Sequence, residues 1–469
     1  FVQLAPLPAG ELLASVHFGP AENDRFTGTI VLRDLEGNPL AIARDLVAEL
    51  RVVEGEEAPS FDPVSVDPDS WPEIKALKQR LEGASLIGLR NPYFAVHDGT
   101  ARDTTSIGGV EHINYSSYNY IGLSGDERVI DQVDEAVRKY GTSVSASRVA
   151  SGERPFHVEL ERELAAAQGA EASLVFTAGH ATNVTTLGHL FGKEDLFLHD
   201  ELVHDSIFQG MRLAGSARRA FKHDDPADLE RQLKQLRGHY RRVCIAVEGV
   251  YSMDGDICNL PAYIELKKKY GCLLFVDEAH SFGIIGETGR GVGEHYGIDG
   301  RDVDLWMGTL SKSLSSCGGW ISASQTLIDY LKYTGPGFVF SAGLTPANGV
   351  AALASLRLMI EEPWRPRKLQ DNAKVFHDAL VARGLDTGPA HGESGVVPVV
   401  TGNSMHALVL SQRLQDQGIN VQPIVYPAVA DDAARLRFFL SSTHSEEQLL
   451  KTAAAVADTL AAVRAEYQL

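Results

Sequence analysis

Cysteine is scarce in this chain: Cys244, Cys258, Cys272 and Cys317 are the four it has. They are scattered, with neither metal-ligand spacing nor the framework of a disulfide-stapled fold. Cys244 and Cys272 fall in apolar, strand-like runs and are expected to be small buried hydrophobes in a reducing, cytoplasmic setting. Long apolar runs are missing too. None approaches the roughly 20 residues that cross a bilayer, so no membrane partner is expected. Basic residues are outnumbered, 43 against 62 acidic ones, for a net charge of −19. That balance disfavours nucleic acid, whose binding rests on neutralising phosphates. The first residues lack the basic-then-apolar profile of a signal peptide, and Phe1 stands where an initiator methionine would, so we expect a stretch of a longer polypeptide. What remains is an ordinary globular composition, 44% hydrophobic over 469 residues, enough for roughly two or three domains.

Residues 26–53 alternate apolar and polar and break at Asp34-Leu35-Glu36-Gly37-Asn38-Pro39. The alternation predicts a β-hairpin followed by another strand. Residues 54–70 are acidic, proline-containing and aperiodic, which predicts a linker. Helical spacing resumes at Trp71, and from there helices and short apolar strands alternate. Strands are expected at 173–176, 243–247, 273–276 and 305–307, and helices at 127–140, 157–168, 181–190 and 260–270. That order predicts an α/β fold with a mostly parallel central sheet covered on both faces. We divide it into an N-terminal segment (71–125), a large domain (126–362) and a smaller α+β C-terminal domain (363–469).

Two strands carry the chemistry. One, Leu273-Leu274-Phe275-Val276, ends in Asp277. The other, Leu305-Trp306-Met307, runs into Gly308-Thr309-Leu310-Ser311-Lys312. A lysine on a small-residue loop can form a Schiff base with an aldehyde cofactor. A buried aspartate can keep a pyridine nitrogen protonated, so the pair suits pyridoxal 5'-phosphate. Asp277-Glu278-Ala279-His280 also spells a helicase-type ATPase box, but no Gly-Lys-Ser/Thr phosphate loop accompanies it. Gly283 to Gly293 lack the strand–turn–helix setting of a dinucleotide fingerprint and read as a flexible loop. Thr177-Ala178-Gly179-His180-Ala181-Thr182-Asn183 follows a strand and opens a helix, where free amides can hold a phosphate. His204 offers a flat ring able to stack on a pyridine and to exchange a proton near neutrality. Glu248 to Asp256 follow a strand and so lie at the sheet edge where α/β folds bind ligands. Arg437, between apolar neighbours, is a planar clamp for a carboxylate.

Taken in order, these motifs resemble the α-oxoamine synthase family of fold-type-I pyridoxal-phosphate transferases. The resemblance rests on Tyr251-Ser252-Met253-Asp254-Gly255, Val276-Asp277-Glu278-Ala279-His280 and Thr309-Leu310-Ser311-Lys312 with Gly318-Gly319-Trp320, and it runs from Trp71 to the C-terminus. It implies that Lys312 is the Schiff-base lysine and Asp277 the partner of the pyridinium nitrogen. His204 would stack on the ring, with His280 and Ser252 beside the phenolic oxygen. Gly179, His180 and Thr309 would contact the phosphate, and Arg437 the substrate carboxylate. Three positions depart from the family pattern. Tyr118 replaces the carboxylate-contacting asparagine, as in serine palmitoyltransferases. Ala342 replaces a hydroxyl residue, leaving Ser341 to reach the phosphate of a second subunit in a homodimer. Trp320 replaces a tyrosine.

The family implies a decarboxylating Claisen condensation of a small amino acid (glycine, alanine or serine) with an acyl thioester, giving an α-amino ketone. An aminotransferase or aldolase on the same scaffold, or a non-catalytic domain, stays open. Residues 1–53 resemble the closing strands of a hot-dog dehydratase domain of a polyketide synthase. That implies an acyl group delivered on an acyl carrier protein instead of coenzyme A. Arg218 and Arg219, or Arg365, Arg367 and Lys368, are candidate docking cations for such a carrier.

Overall fold

A computed structural model describes strands at Val2–Gln3, Leu13–Phe18, Arg25–Arg33 and Pro39–Glu49, and residues 66–86 and 88–467. The chain forms two compact units, 1–83 with 234–236, and 84–233 with 237–469. In the first, the predicted hairpin is present as Arg25–Arg33 paired antiparallel with Pro39–Glu49. The strand expected after it is not a separate element among the described residues, where Pro39–Glu49 runs as one strand; Leu13–Phe18, which was not expected, precedes the hairpin and pairs antiparallel with Arg25–Arg33. Residues 54–65 of the expected linker lie outside the described residues. After a turn capped by Asp67, helix Pro72–Leu86 begins with proline in its first turn, where the missing N–H costs nothing.

The second unit is built on a seven-stranded sheet. Its order is Ala217–Phe221, Leu196–Asp200, Val243–Glu248, Leu273–Asp277, Leu305–Thr309, Gly319–Ala323 and Ala172–Phe176. The first five strands run parallel, while Gly319–Ala323 is antiparallel to both of its neighbours. Val243 to Val247 are wholly buried, as expected for a strand covered by helices on both faces. Phe197, Phe275, Met307, Met211 and Ile321 belong to the core beneath. Polar residues close these strands at their C-terminal ends: Asp200, Glu248, Asp277 and Thr309. The sheet therefore delivers its chemistry to one edge.

Gly319–Ala323 was not predicted, because Gly319, with Gly318 just before it, masked a short apolar strand. Trp320 on it lies opposite Gly308. A Cβ at Gly308 would come within 2.2 Å of the Trp320 ring, so the glycine is the space the indole fills. A small sheet of Val396–Val400, Arg435–Phe439 and Gln422–Ile424 carries Arg437. Ile419–Asn420 leaves that region to pair in parallel with Val110–Asn114, so segment 71–125 and the C-terminal region share a sheet. Cys244, Cys258 and Cys272 are buried, Cys317 is exposed, and all four are free thiols. Among the described residues no helix is long and apolar enough to cross a membrane.

Candidate active site

The strand ends and the loops after them enclose a cavity of about 310 Å³. Tyr118, Gly179, His180, His204, Ser252, Asp277, His280, Thr309, Lys312 and Arg437 all line it. Of the predicted site residues only Ser341 stands apart, its hydroxyl turned to the Ala342 carbonyl. A second opening of about 400 Å³ shares Tyr118 and Lys312.

Asp277 sits on the cavity floor, 4% exposed. Its carboxylate accepts from the Asn183 amide at 2.9 Å and from the Ala279 N–H at 2.9 Å. Asn183 also donates to Ser206 Oγ at 2.9 Å, and Ser206 Oγ lies 2.7 Å from His204 Nδ1. The Ser206 N–H points at the same nitrogen, at 3.2 Å. An amide N–H can only donate, so Nδ1 accepts and the neutral ring carries its proton on Nε2. Burial holds the His204 imidazole below its ordinary pKa. A relay thus runs from His204 through Ser206 and Asn183 to Asp277.

Two of these residues were missed by sequence reasoning. The sequence shows Asn183 only as the end of the phosphate loop, although one helical turn returns its side chain to the loop's face. Glu248 had been placed at the sheet edge and given no role. It lines the cavity, 4% exposed, and accepts the His204 backbone N–H at 2.5 Å. Burial, followed by the charge of Asp277, lifts its carboxyl well above the ordinary range.

Burial pulls the Lys312 ammonium down to about 8, against Asp277 and Glu248, which favour its charged form. Its Nζ lies 5.5 Å from the centre of the Tyr118 ring. His280 Nδ1 is 2.9 Å from the Tyr120 hydroxyl, and burial keeps this imidazole neutral. Arg437 projects from the small sheet with its guanidinium 4.5 Å from the centre of the Phe439 ring. Nη1 donates to the Ser252 carbonyl at 3.1 Å, while Nε is buried without a partner. Among the described residues no carboxylate pairs with it, whereas Arg435, two positions earlier, is paired with Asp254. Arg437 is thus a partly buried guanidinium lining the cavity that could hold an anion there.

The cavity fits pyridoxal phosphate. Helix Gly179–Leu190 opens on it with no side-chain cap, leaving N-terminal amides free for a phosphate. A Cβ at Gly179 would meet Thr309 Oγ1 at 2.9 Å, so the bare glycine lets the two approach. Asp277, deep on the floor and hydrogen-bonded by Asn183 and Ala279, is the residue that would face a pyridine nitrogen. Of the candidate carrier-docking cations, Arg365 is buried against Asp126 and Glu362, and Arg367 pairs with Glu287. Ion pairs within the chain engage both, leaving Lys368, exposed, and the pair Arg218 and Arg219 as the candidates.

Residues 110–456 match the family described as aminotransferase class I and II. An 8-amino-7-oxononanoate synthase of Thermoanaerobacter pseudethanolicus is 37% identical over 377 residues, covering 80% of this chain and 94% of that one. The 8-amino-7-oxononanoate synthase of Treponema denticola is 40% identical over 377 residues, with the same coverage, 80% and 94%. Among solved structures, the serine palmitoyltransferase of Sphingomonas wittichii superposes with a TM-score of 0.81 at 30% identity, covering 86% of this chain and 100% of that one.

Proposed function

Because this chain belongs to the α-oxoamine synthase family of pyridoxal-phosphate enzymes, we propose that it condenses a small amino acid with an acyl thioester, releasing carbon dioxide and an α-amino ketone. The observation that carries the substrate reading is Arg437, a guanidinium with no carboxylate partner among the described residues, in the same cavity as Lys312.

Bound pyridoxal phosphate supplies an aldehyde that links to amines and a ring that accepts electrons freed at Cα. Lys312 would anchor it, Asp277 would keep a proton on the ring nitrogen, and Gly179, His180 and Thr309 would hold the phosphate. Arg437 clamps the amino-acid carboxylate in place. Lys312, with an ammonium that gives up its proton near pH 8, takes the Cα proton. His204 carries its own proton on Nε2 toward the cavity, suited to assist at the thioester and at the β-keto acid. Tyr118 stands at the rim shared by both openings and favours a small amino acid, with serine a leading candidate beside glycine and alanine.

A homodimer completes this reading. Ser341 does not serve its own cavity, and its neighbour Phe340 is 87% exposed, an apolar side chain suited to a second subunit. The acyl donor is a carrier-protein thioester. Tethering raises its effective concentration to roughly millimolar, so the site needs little affinity for a free nucleotide. Competition between one acyl group on a carrier protein and on coenzyme A tests this. Preference for the carrier form is expected. Preference for the coenzyme A form would remove the polyketide setting and leave the condensation standing.

A further inference from the structure

Outside the cavity, the loop that supplies Ser252 and Met253 is gripped from two sides. Residues 251–256 form a tight turn, with the Tyr251 N–H donating to the Asp256 carbonyl at 3.1 Å and the Gly255 N–H to the Tyr251 carbonyl at 2.8 Å. From the C-terminal region, Ser394 Oγ donates to the Gly255 carbonyl at 2.6 Å, Arg435 to the Met253 carbonyl at 3.2 Å, and Arg437 to the Ser252 carbonyl at 3.1 Å. The loop is therefore the ledge on which Arg437 rests.

The opposite grip is His223, a residue the chemistry above does not use. Its Nδ1 lies 3.0 Å from an Asp200 oxygen and its Nε2 2.9 Å from an Asp256 oxygen. Both ring nitrogens face carboxylates, so both must donate and the ring is an imidazolium. Burial works against that charge, but the hydrogen bonds to Asp200 and Asp256 outweigh it and lift the group to about 10. The surroundings are acidic: Glu201 accepts the His223 backbone N–H at 3.0 Å, and Asp224 follows in the chain. The face of the ring is closed by Tyr251 at 4.5 Å, edge-on. Asp200 ends strand Leu196–Asp200 and is itself fully buried. One rigid strand end thus reaches the ledge through a single charged ring.

We infer that His223 is a positioning residue for amino-acid binding, tying the 251–256 loop to strand Leu196–Asp200 so that Ser252 and Met253 hold Arg437 at the cavity. The inference rests on Arg437 being the carboxylate clamp. Losing the tie lets the ledge drift and misplaces the guanidinium, while Lys312, Asp277 and His204 keep their own supports. The effect falls on amino-acid affinity more than on turnover.

The test compares His223→Leu, His223→Arg, Asp256→Asn and Arg437→Ala in the cofactor-loaded enzyme, measuring KM and kcat for the amino acid and hydrogen exchange of the 250–256 amides. His223→Leu should raise KM by about tenfold with kcat changed far less, and should speed exchange in the loop. His223→Arg, which keeps a cation with two donors, should recover most of both. Asp256→Asn should move KM in the same direction, which keeps the test decisive if His223→Leu does not fold. If Arg437→Ala raises KM while the His223 and Asp256 variants leave it unchanged, the positioning role is overturned and the clamp stands. If Arg437→Ala leaves KM unchanged, the clamp itself fails and this inference with it.

Discussion

Glu248 and Asp277 stand directly opposite one another on adjacent parallel strands, the last residues of each, so two carboxyl groups share the floor beneath Lys312. Two buried like charges at such a spacing are costly, and one group gives way by holding its proton. Glu248 is the one driven that way, by burial and then by Asp277. A protonated Glu248 still accepts the His204 N–H through its carbonyl oxygen, and glutamine reproduces that shape without charge. Glu248→Gln should therefore keep wild-type stability and most of its activity. Glu248→Ala, which strands a buried N–H, should cost about 1–3 kcal/mol. Chemical denaturation beside steady-state rates checks the pair, and a large loss in Glu248→Gln would mean the carboxylate is needed charged.

Cofactor capture requires the neutral amine of Lys312. Burial lowers that group from the ordinary lysine value to about 8. The rate at which cofactor-free protein takes up pyridoxal phosphate should climb with pH, bend near 8 and then level off. A rate still rising steeply toward pH 10 would show an unperturbed lysine. Stopped-flow absorbance across that range separates the two.

Gly308→Ala should be badly tolerated, because the new methyl would enter the Trp320 ring. Overpacking of this kind costs about 1–3 kcal/mol. Adding Trp320→Tyr should recover part of it, since the smaller ring vacates space. Thermal melts of the single and double variants report the coupling directly.

Arg437→Ala should raise the amino-acid KM by about tenfold to a hundredfold, the worth of one charge-assisted clamp, at roughly 1.4–2.8 kcal/mol. Arg437→Lys should fall between, since an ammonium cannot grip a carboxylate with two parallel bonds.

Much of the site was legible because its parts are local: an apolar strand ending in Asp277, a small-residue loop carrying Lys312, a strand–helix turn at Gly179. What escaped was pairing across long stretches of chain. Nothing near His280 announces that its ring nitrogen faces Tyr120, and nothing near Arg437 tells that it lacks an acid while Arg435 has Asp254. Charge alone misled as well. Arg365 read as a docking cation, but helix Trp364–Val381 buries it against Asp126 and Glu362, while Arg367 stays exposed and pairs with Glu287. Strand Gly319–Ala323 was hidden by Gly319, the same glycine that lets Gly179 and Thr182 approach it. The loop from Gly283 to Gly293 read as flexible, yet the buried carboxylate of Glu278 accepts the Val292 N–H and ties it down.

The central claim is a decarboxylating condensation at Lys312, and carbon dioxide release from a carboxyl-labelled amino acid tests it most directly. Wild-type protein with pyridoxal phosphate should release label only when an acyl thioester is also present. Lys312→Ala should release none and should lose the visible absorbance of the lysine-linked cofactor. Release without thioester, release by Lys312→Ala, or transfer of the amino group with the carboxyl retained would contradict the account.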